Sequence, residues 1–110
     1  MIKDRIVRIK LKKYFQHHRP INYIGKVTAY SDDWIILDAR MVLLSRNQPN
    51  GVQIDKKSSA TMLARDSIES IRILPDDFDC TNIIITTEGQ QLQIEVKGAG
   101  NAFIGEFGEG

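Results

Sequence analysis

Apolar and polar residues alternate along this chain in short runs separated by turn-forming residues, which is the pattern of half-buried strands. The opening run RIVRIKLK at residues 5–12 sets Val7, Ile9 and Leu11 on one side and Arg8, Lys10 and Lys12 on the other. That period of two predicts a strand, although Ile2, Ile6 and Ile9 also recur at helical spacing and leave a short helical turn open at the amino end. Residues 16–20, QHHRP, read as a turn, and residues 21–30 return as a second strand with Gly25 inside it. A glycine in a strand marks a bulge, a sharp bend or the close approach of another backbone. After the polar break Ser31-Asp32-Asp33, residues 34–45 form the longest apolar run, with a bend or bulge expected at 38–40. Pro49, Asn50 and Gly51 write a loop. Residues 52–60 are ambiguous, residues 60–64 read as a fourth strand and 68–74 as a fifth, with Asp66 and Ser67 as the tight connection.

The last third of the chain has a simpler pattern. Residues 82–96, NIIITTEGQQLQIEV, read as a hairpin turning at Glu88 and Gly89, with Leu92, Ile94 and Val96 alternating against Gln and Glu. Beyond it Gly98, Gly100, Gly105, Gly108 and Gly110 surround Phe103, Ile104 and Phe107. Such a tail is expected to be loose unless those side chains dock on a neighbour. The organisation expected is therefore a barrel over residues 1–75, an acidic linker and hairpin over 76–97, and a glycine-rich tail over 98–110.

Charge refines this picture. With 15 basic and 14 acidic residues and a net charge of +1, the chain is no polycation, so any nucleic-acid surface must be local. The cations gather at the amino end, and Asp76, Asp77 and Asp79 gather after the fifth strand. The single cysteine, Cys80, excludes an internal disulfide and agrees with a reducing compartment. No apolar run approaches the roughly 20 residues of a membrane-spanning helix, and the charged start lacks the apolar core of a signal peptide. A cytoplasmic location and no membrane partner are expected.

Gly25, Val27, Tyr30, Asp32 and the apolar run from Trp34 to Leu37, followed by Arg65-Asp66-Ser67-Ile68 and Ile71, are similar to the two motifs of the Sm, LSm and Hfq family, closest to its bacterial Hfq branch. The resemblance covers roughly residues 5–75. It implies an all-β fold, a small Sm-like (SH3-type) five-stranded bent barrel, here with an extra carboxyl-terminal hairpin. It also implies assembly into a homo-oligomeric ring that binds RNA or single-stranded nucleic acid, in RNA processing or as an RNA chaperone. The other reading is a structural or protein-interaction ring that does not bind nucleic acid, which the acids Asp33 and Asp66 favour.

The candidate nucleic-acid residues are Trp34, Arg65, Asp32, Arg8, Lys10, Lys12, His17 and His18. Trp34 either stacks on a base or fills a core or subunit interface. Asp32 is the acid of the first motif. Arg65 either bonds a phosphate or base edge or pairs with Asp66 or an acid of the next subunit. The stripe Arg8, Lys10 and Lys12 is either the solvated face of an edge strand, where lysines discourage pairing, or a track for a nucleic-acid backbone. His17 and His18 are either a phosphate-contacting tip or half of a metal site, the second disfavoured because adjacent histidines point in different directions and no third ligand at suitable spacing accompanies them. The pairs Asp32-Asp33 and Asp76-Asp77 read as solvated turn acids, no phosphate-cradling glycine loop is present, and Cys80 has no partner histidine assignable from the sequence. No catalytic residue, metal or cofactor is expected.

Overall fold

The computed structural model describes residues 1–15 and 18–107, and they form an all-β protein of two antiparallel sheets. The larger sheet contains β1 (Ile6–Leu11), β2 (Ile21–Tyr30), β3 (Trp34–Leu44), β4 (Val52–Ile54), β5 (Ser59–Ala64) and β6 (Ile68–Ile73). The smaller contains β7 (Ile85–Glu88), β8 (Gln91–Ile94) and β9 (Ala102–Glu106). In the larger sheet β6, β1, β2 and β3 lie side by side, and β3 carries two further partners along its length, β5 opposite residues 34–39 and β4 opposite 42–44. A single 3-10 turn at Arg65–Ser67 leads from β5 into β6.

Alternation along these strands builds two cores, one on each face of the larger sheet. Val7, Ile9, Val27, Ile35, Leu37, Ala39 and Leu63 pack on one face, where Ile68 and Ile71 of β6 join them. Ile24, Val42 and Leu44 point to the other, against Leu92, Ile94, Val96, Ala102 and Ile104 of the carboxyl-terminal segment. The smaller sheet therefore lies as a second layer over one face of the larger one. Polar links reinforce the apolar contact: buried Asn22 donates from Nδ2 to the Ile104 carbonyl at 2.9 Å, and Arg72 donates from Nη2 to the Gly100 carbonyl at 2.6 Å.

Several expectations are revised by this layering. The tail is not loose over residues 102–106, because β9 pairs with β8 and buries Ala102 and Ile104 completely. Of the bend or bulge expected at residues 38–40, a bulge against β2 is absent, since β3 pairs in unbroken register with β2 through Asp38, Ala39 and Arg40. The register steps instead at Val27 and Ala29 of β2, and again between Lys10 and Leu11 of β1, opposite Glu69. The ambiguous polar stretch supplies the short extra strand β4.

The largest revision concerns the basic stripe. Strand β1 is not an edge, because it lies between β2 and β6. Its outward face is covered by the smaller sheet, so Arg8 is 7% exposed and Lys10 is 6% exposed, while Lys12, beyond the strand, is open to solvent.

Candidate functional site

The turn at Arg65–Ser67 touches two connecting segments that leave opposite ends of β2, residues 31–33 between β2 and β3 and the start of the segment that joins β1 to β2. The tight turn at 31–33 closes with the Ser31 amide donating to the Trp34 carbonyl at 2.9 Å, while the Ser31 hydroxyl accepts from the amides of Asp33 and Trp34. Arg65 fastens this turn to the next. Its backbone amide donates to the Asp33 carbonyl at 3.0 Å and its Nη1 donates to the Ser31 carbonyl at 2.8 Å. Because both acceptors are neutral carbonyls, the guanidinium charge remains uncancelled, and the side chain is exposed. Arg65 makes no salt bridge with Asp66. Trp34 begins β3 opposite Ala64 and is half-buried, with Asp32 exposed beside it. Trp34, Asp32 and Arg65 therefore come together as neighbours.

The segment that joins β1 to β2 meets the same turn. The Lys12 amide donates to the Ser67 carbonyl at 2.8 Å, and the Tyr14 hydroxyl donates to the Asp66 carbonyl at 3.4 Å. Leu11, Lys12, Tyr14, His18, Arg19 and Ile21 line a shallow depression of about 490 Å³. Phe15 stands at its margin, with its ring edge-on to His18 at 4.8 Å between centroids. Tyr14 is 63% exposed and Phe15 is 60% exposed, between the exposed cations Lys12 and Arg19. The candidate His17 lies outside the described residues.

Arg8 and Lys10 take a different place. Lys10 Nζ pairs with Glu69 at 2.8 Å and lies 6.0 Å from the centre of the Phe103 ring, while Arg8 donates from Nη1 to the Ser70 hydroxyl at 2.9 Å. Burial and the neighbouring Arg72 lower the Arg8 pKa from its usual value, with Glu69 opposing them. These side chains tie β1 to β6 within the larger sheet, with only Lys10 reaching the smaller one at Phe103, and both are buried away from the surface where a binding stripe would lie.

Tyr14, Phe15 and Arg19 complete the site. Their signal in the sequence is the interleaving of cations and aromatics in KKYF at residues 12–15. What the arrangement offers chemically is flat apolar surface beside fixed and mobile positive charge, with Asp32, Asp33 and Asp66 limiting the net potential. Among the described residues no group of His, Cys, Asp and Glu is arranged to hold a metal ion. Compared with protein-family models, with curated proteins and with solved structures, the chain matches none.

Proposed function

We propose that the chain is an Sm-like subunit that binds RNA or single-stranded nucleic acid around the Arg65–Ser67 turn, with residues 12–15, 18–20 and 31–34 as the rest of the surface, and that it works as a homo-oligomeric ring. The observation that carries this reading is the exposure of Tyr14 and Phe15 between Lys12 and Arg19, with Lys12 and Tyr14 hydrogen-bonded to the turn that begins at Arg65. Single-strand binders combine stacking platforms, each worth about 1–3 kcal/mol per base, with cations that follow the backbone. The Sm-like architecture is supported by the order β5-β3-β2-β1-β6, in which the last strand returns beside the first, as a small bent barrel requires. The ring is supported by the outer edges of β5 and β6. Neither has a further strand partner among the described residues, Met62 is 66% exposed and Ile73 is 44% exposed, and Ser59–Ala64 carries no Lys, Arg or Pro to guard its edge.

A salt series of binding to short A-rich, U-rich and mixed RNA and DNA tests the proposal. Neutralising Lys12 and Arg19 should flatten the dependence of log affinity on log salt by about 0.7 for each phosphate no longer neutralised by the protein. Trp34→Ala or Tyr14→Ala should cost roughly 1–3 kcal/mol with little change in that slope. Lys10→Met should leave the slope unchanged, because that ammonium is buried. No binding at low salt would overturn the proposal and favour the protein-interaction reading, for which the exposed carboxylates Asp32, Asp33 and Asp66 in the same segments speak.

A further inference from the structure

A second cleft, of about 640 Å³, opens on the flank of the larger sheet and shares no lining residue with the turns just described. Its floor is apolar, made by Ile6, Ile24 and Phe78, which belong to or pack on the core shared by the two sheets. Its rim is cationic, with Lys26, Lys56 and Lys57 all exposed. None of these lysines makes a salt bridge among the described residues. Asp38, opposite Lys26 across β2 and β3, is the one acid that lines the cleft.

Arg40 fixes the spacing of the two walls. Its Nε donates to the Asp55 carbonyl at 2.7 Å, at the start of the loop carrying Lys56 and Lys57. Its Nη1 donates to the Cys80 carbonyl at 2.9 Å, in the linker carrying Phe78. Both acceptors are neutral, so the guanidinium keeps its charge while tying the walls at a set distance. A preformed opening with an apolar floor, a rim of three lysines against one acid and a volume within the usual range of small-molecule sites is complementary to a ligand having the opposite pattern.

We infer that this cleft binds a small organic anion, a molecule with a phosphate or carboxylate head that meets Lys56, Lys57 and Lys26 and an aromatic or aliphatic body that covers Ile6, Ile24 and Phe78. Such a head and body occur in a nucleoside monophosphate and in a medium-chain carboxylate alike. The inference does not rest on nucleic-acid binding around the Arg65–Ser67 turn. Cys80, the only cysteine of the chain, lines the same cleft and reports on its occupancy.

The test is the rate of Cys80 modification by N-ethylmaleimide in the full chain at fixed pH and ionic strength, with AMP, decanoate, adenosine, decanol or inorganic phosphate added in turn. AMP, decanoate or both should slow the reaction at least fivefold and saturably, and which of them does so distinguishes an aromatic body from an aliphatic one. The neutral bodies and inorganic phosphate at equal concentration should change the rate by less than twofold. The Lys56→Gln/Lys57→Gln double variant, altered only at exposed positions, should lose the protection while keeping its melting temperature. Trp34 fluorescence should not respond to the ligand, which separates this site from the turns. The inference is overturned if neither organic anion protects Cys80, if phosphate alone protects as well, or if protection survives in the double variant.

Discussion

Replacing Gly25 by alanine should destabilise this protein far more than one methyl group ordinarily does. Gly25 lies in the middle of β2, opposite Val7 of β1 and Ala39 of β3. A Cβ built there falls 1.9 Å from the Asp38 carbonyl oxygen, 2.6 Å from the Ala39 Cα and 2.8 Å from the Asp38 carbonyl carbon. All three obstacles are backbone, so no side chain can rotate out of the way, and β2 must move from β3. Overpacking of a close-packed interior costs about 1–3 kcal/mol, and one or two ladder hydrogen bonds broken as the strands separate add about 1 kcal/mol each. The sum is roughly 3 kcal/mol, and at about 4–8 °C per kcal/mol for a domain near this size the melting temperature should fall by roughly 12–24 °C. Gly89→Ala is the control. Gly89 sits in the β7–β8 turn at a φ of 61° with nothing within 4 Å of a built Cβ, so only the left-handed backbone penalty of about 1–2 kcal/mol applies. Thermal melts of the two variants decide the matter, and a fall for Gly25→Ala no larger than that for Gly89→Ala would refute the close-approach argument.

Two further predictions concern buried polar groups. Glu69→Ala should cost about 1–3 kcal/mol in urea unfolding, toward the lower end because the Glu69 side chain is 52% exposed, since it strands a buried Lys10 ammonium. Lys10→Met should cost less, because Glu69 can turn to water, and equal costs would refute the pairing. The Cys80 thiol is pushed up by burial first and by Asp79 second. Its alkylation rate should therefore level off at a pH above the ordinary thiol range, and a plateau at or below that range refutes the assignment. A raised thiol pKa contributes stability below the unfolded value and loses it as pH rises through the folded value.

The strands are legible because each carries its own alternation. Residues 21–30 and 34–44 announce β2 and β3 without help from elsewhere, and the resemblance to two family motifs singled out Trp34 and Arg65, which the pairing of β5 with β3 brings together. What the sequence does not reveal is set by contacts distant along the chain. The stripe Arg8, Lys10 and Lys12 has the pattern of a solvated face, and only the packing of β8 and β9 some ninety residues later turns Arg8 and Lys10 inward. The glycines around Phe103 and Ile104 hide β9 for a related reason. Glycine lowers strand propensity, yet at Gly105 its missing side chain leaves room for Leu44 and Pro20, which a Cβ would meet at 2.4 and 3.4 Å. In the sequence Tyr14 and Phe15 continue the run of the first strand, whereas the register with β6 ends at Leu11 and leaves both rings in a connecting segment.

With Arg8 and Lys10 withdrawn, the chain keeps only a few exposed cations in the segments that carry Tyr14, Phe15 and Trp34, and three carboxylates stand among them. A single copy should therefore hold nucleic acid weakly. Joining copies edge to edge would place equivalent sites along one strand, and linked sites raise overall avidity by about 10²–10⁴ without any new interaction. Met62 is the position that tests this, because its side chain is exposed on the unguarded strand β5 and belongs to that strand and not to the turns, although it shares a sheet face with Trp34. Met62→Lys places a charge on that edge, which opposes strand pairing between copies while leaving the pairing of β5 with β3 in place. Light scattering should show wild-type oligomers and a monomeric variant at the same micromolar concentration. Affinity for a thirty-nucleotide strand should fall at least tenfold, while affinity for a six-nucleotide strand, which reaches one site, should stay within twofold. A wild-type monomer would refute the ring, and an oligomer that disperses without loss of long-strand affinity would refute the link between assembly and binding.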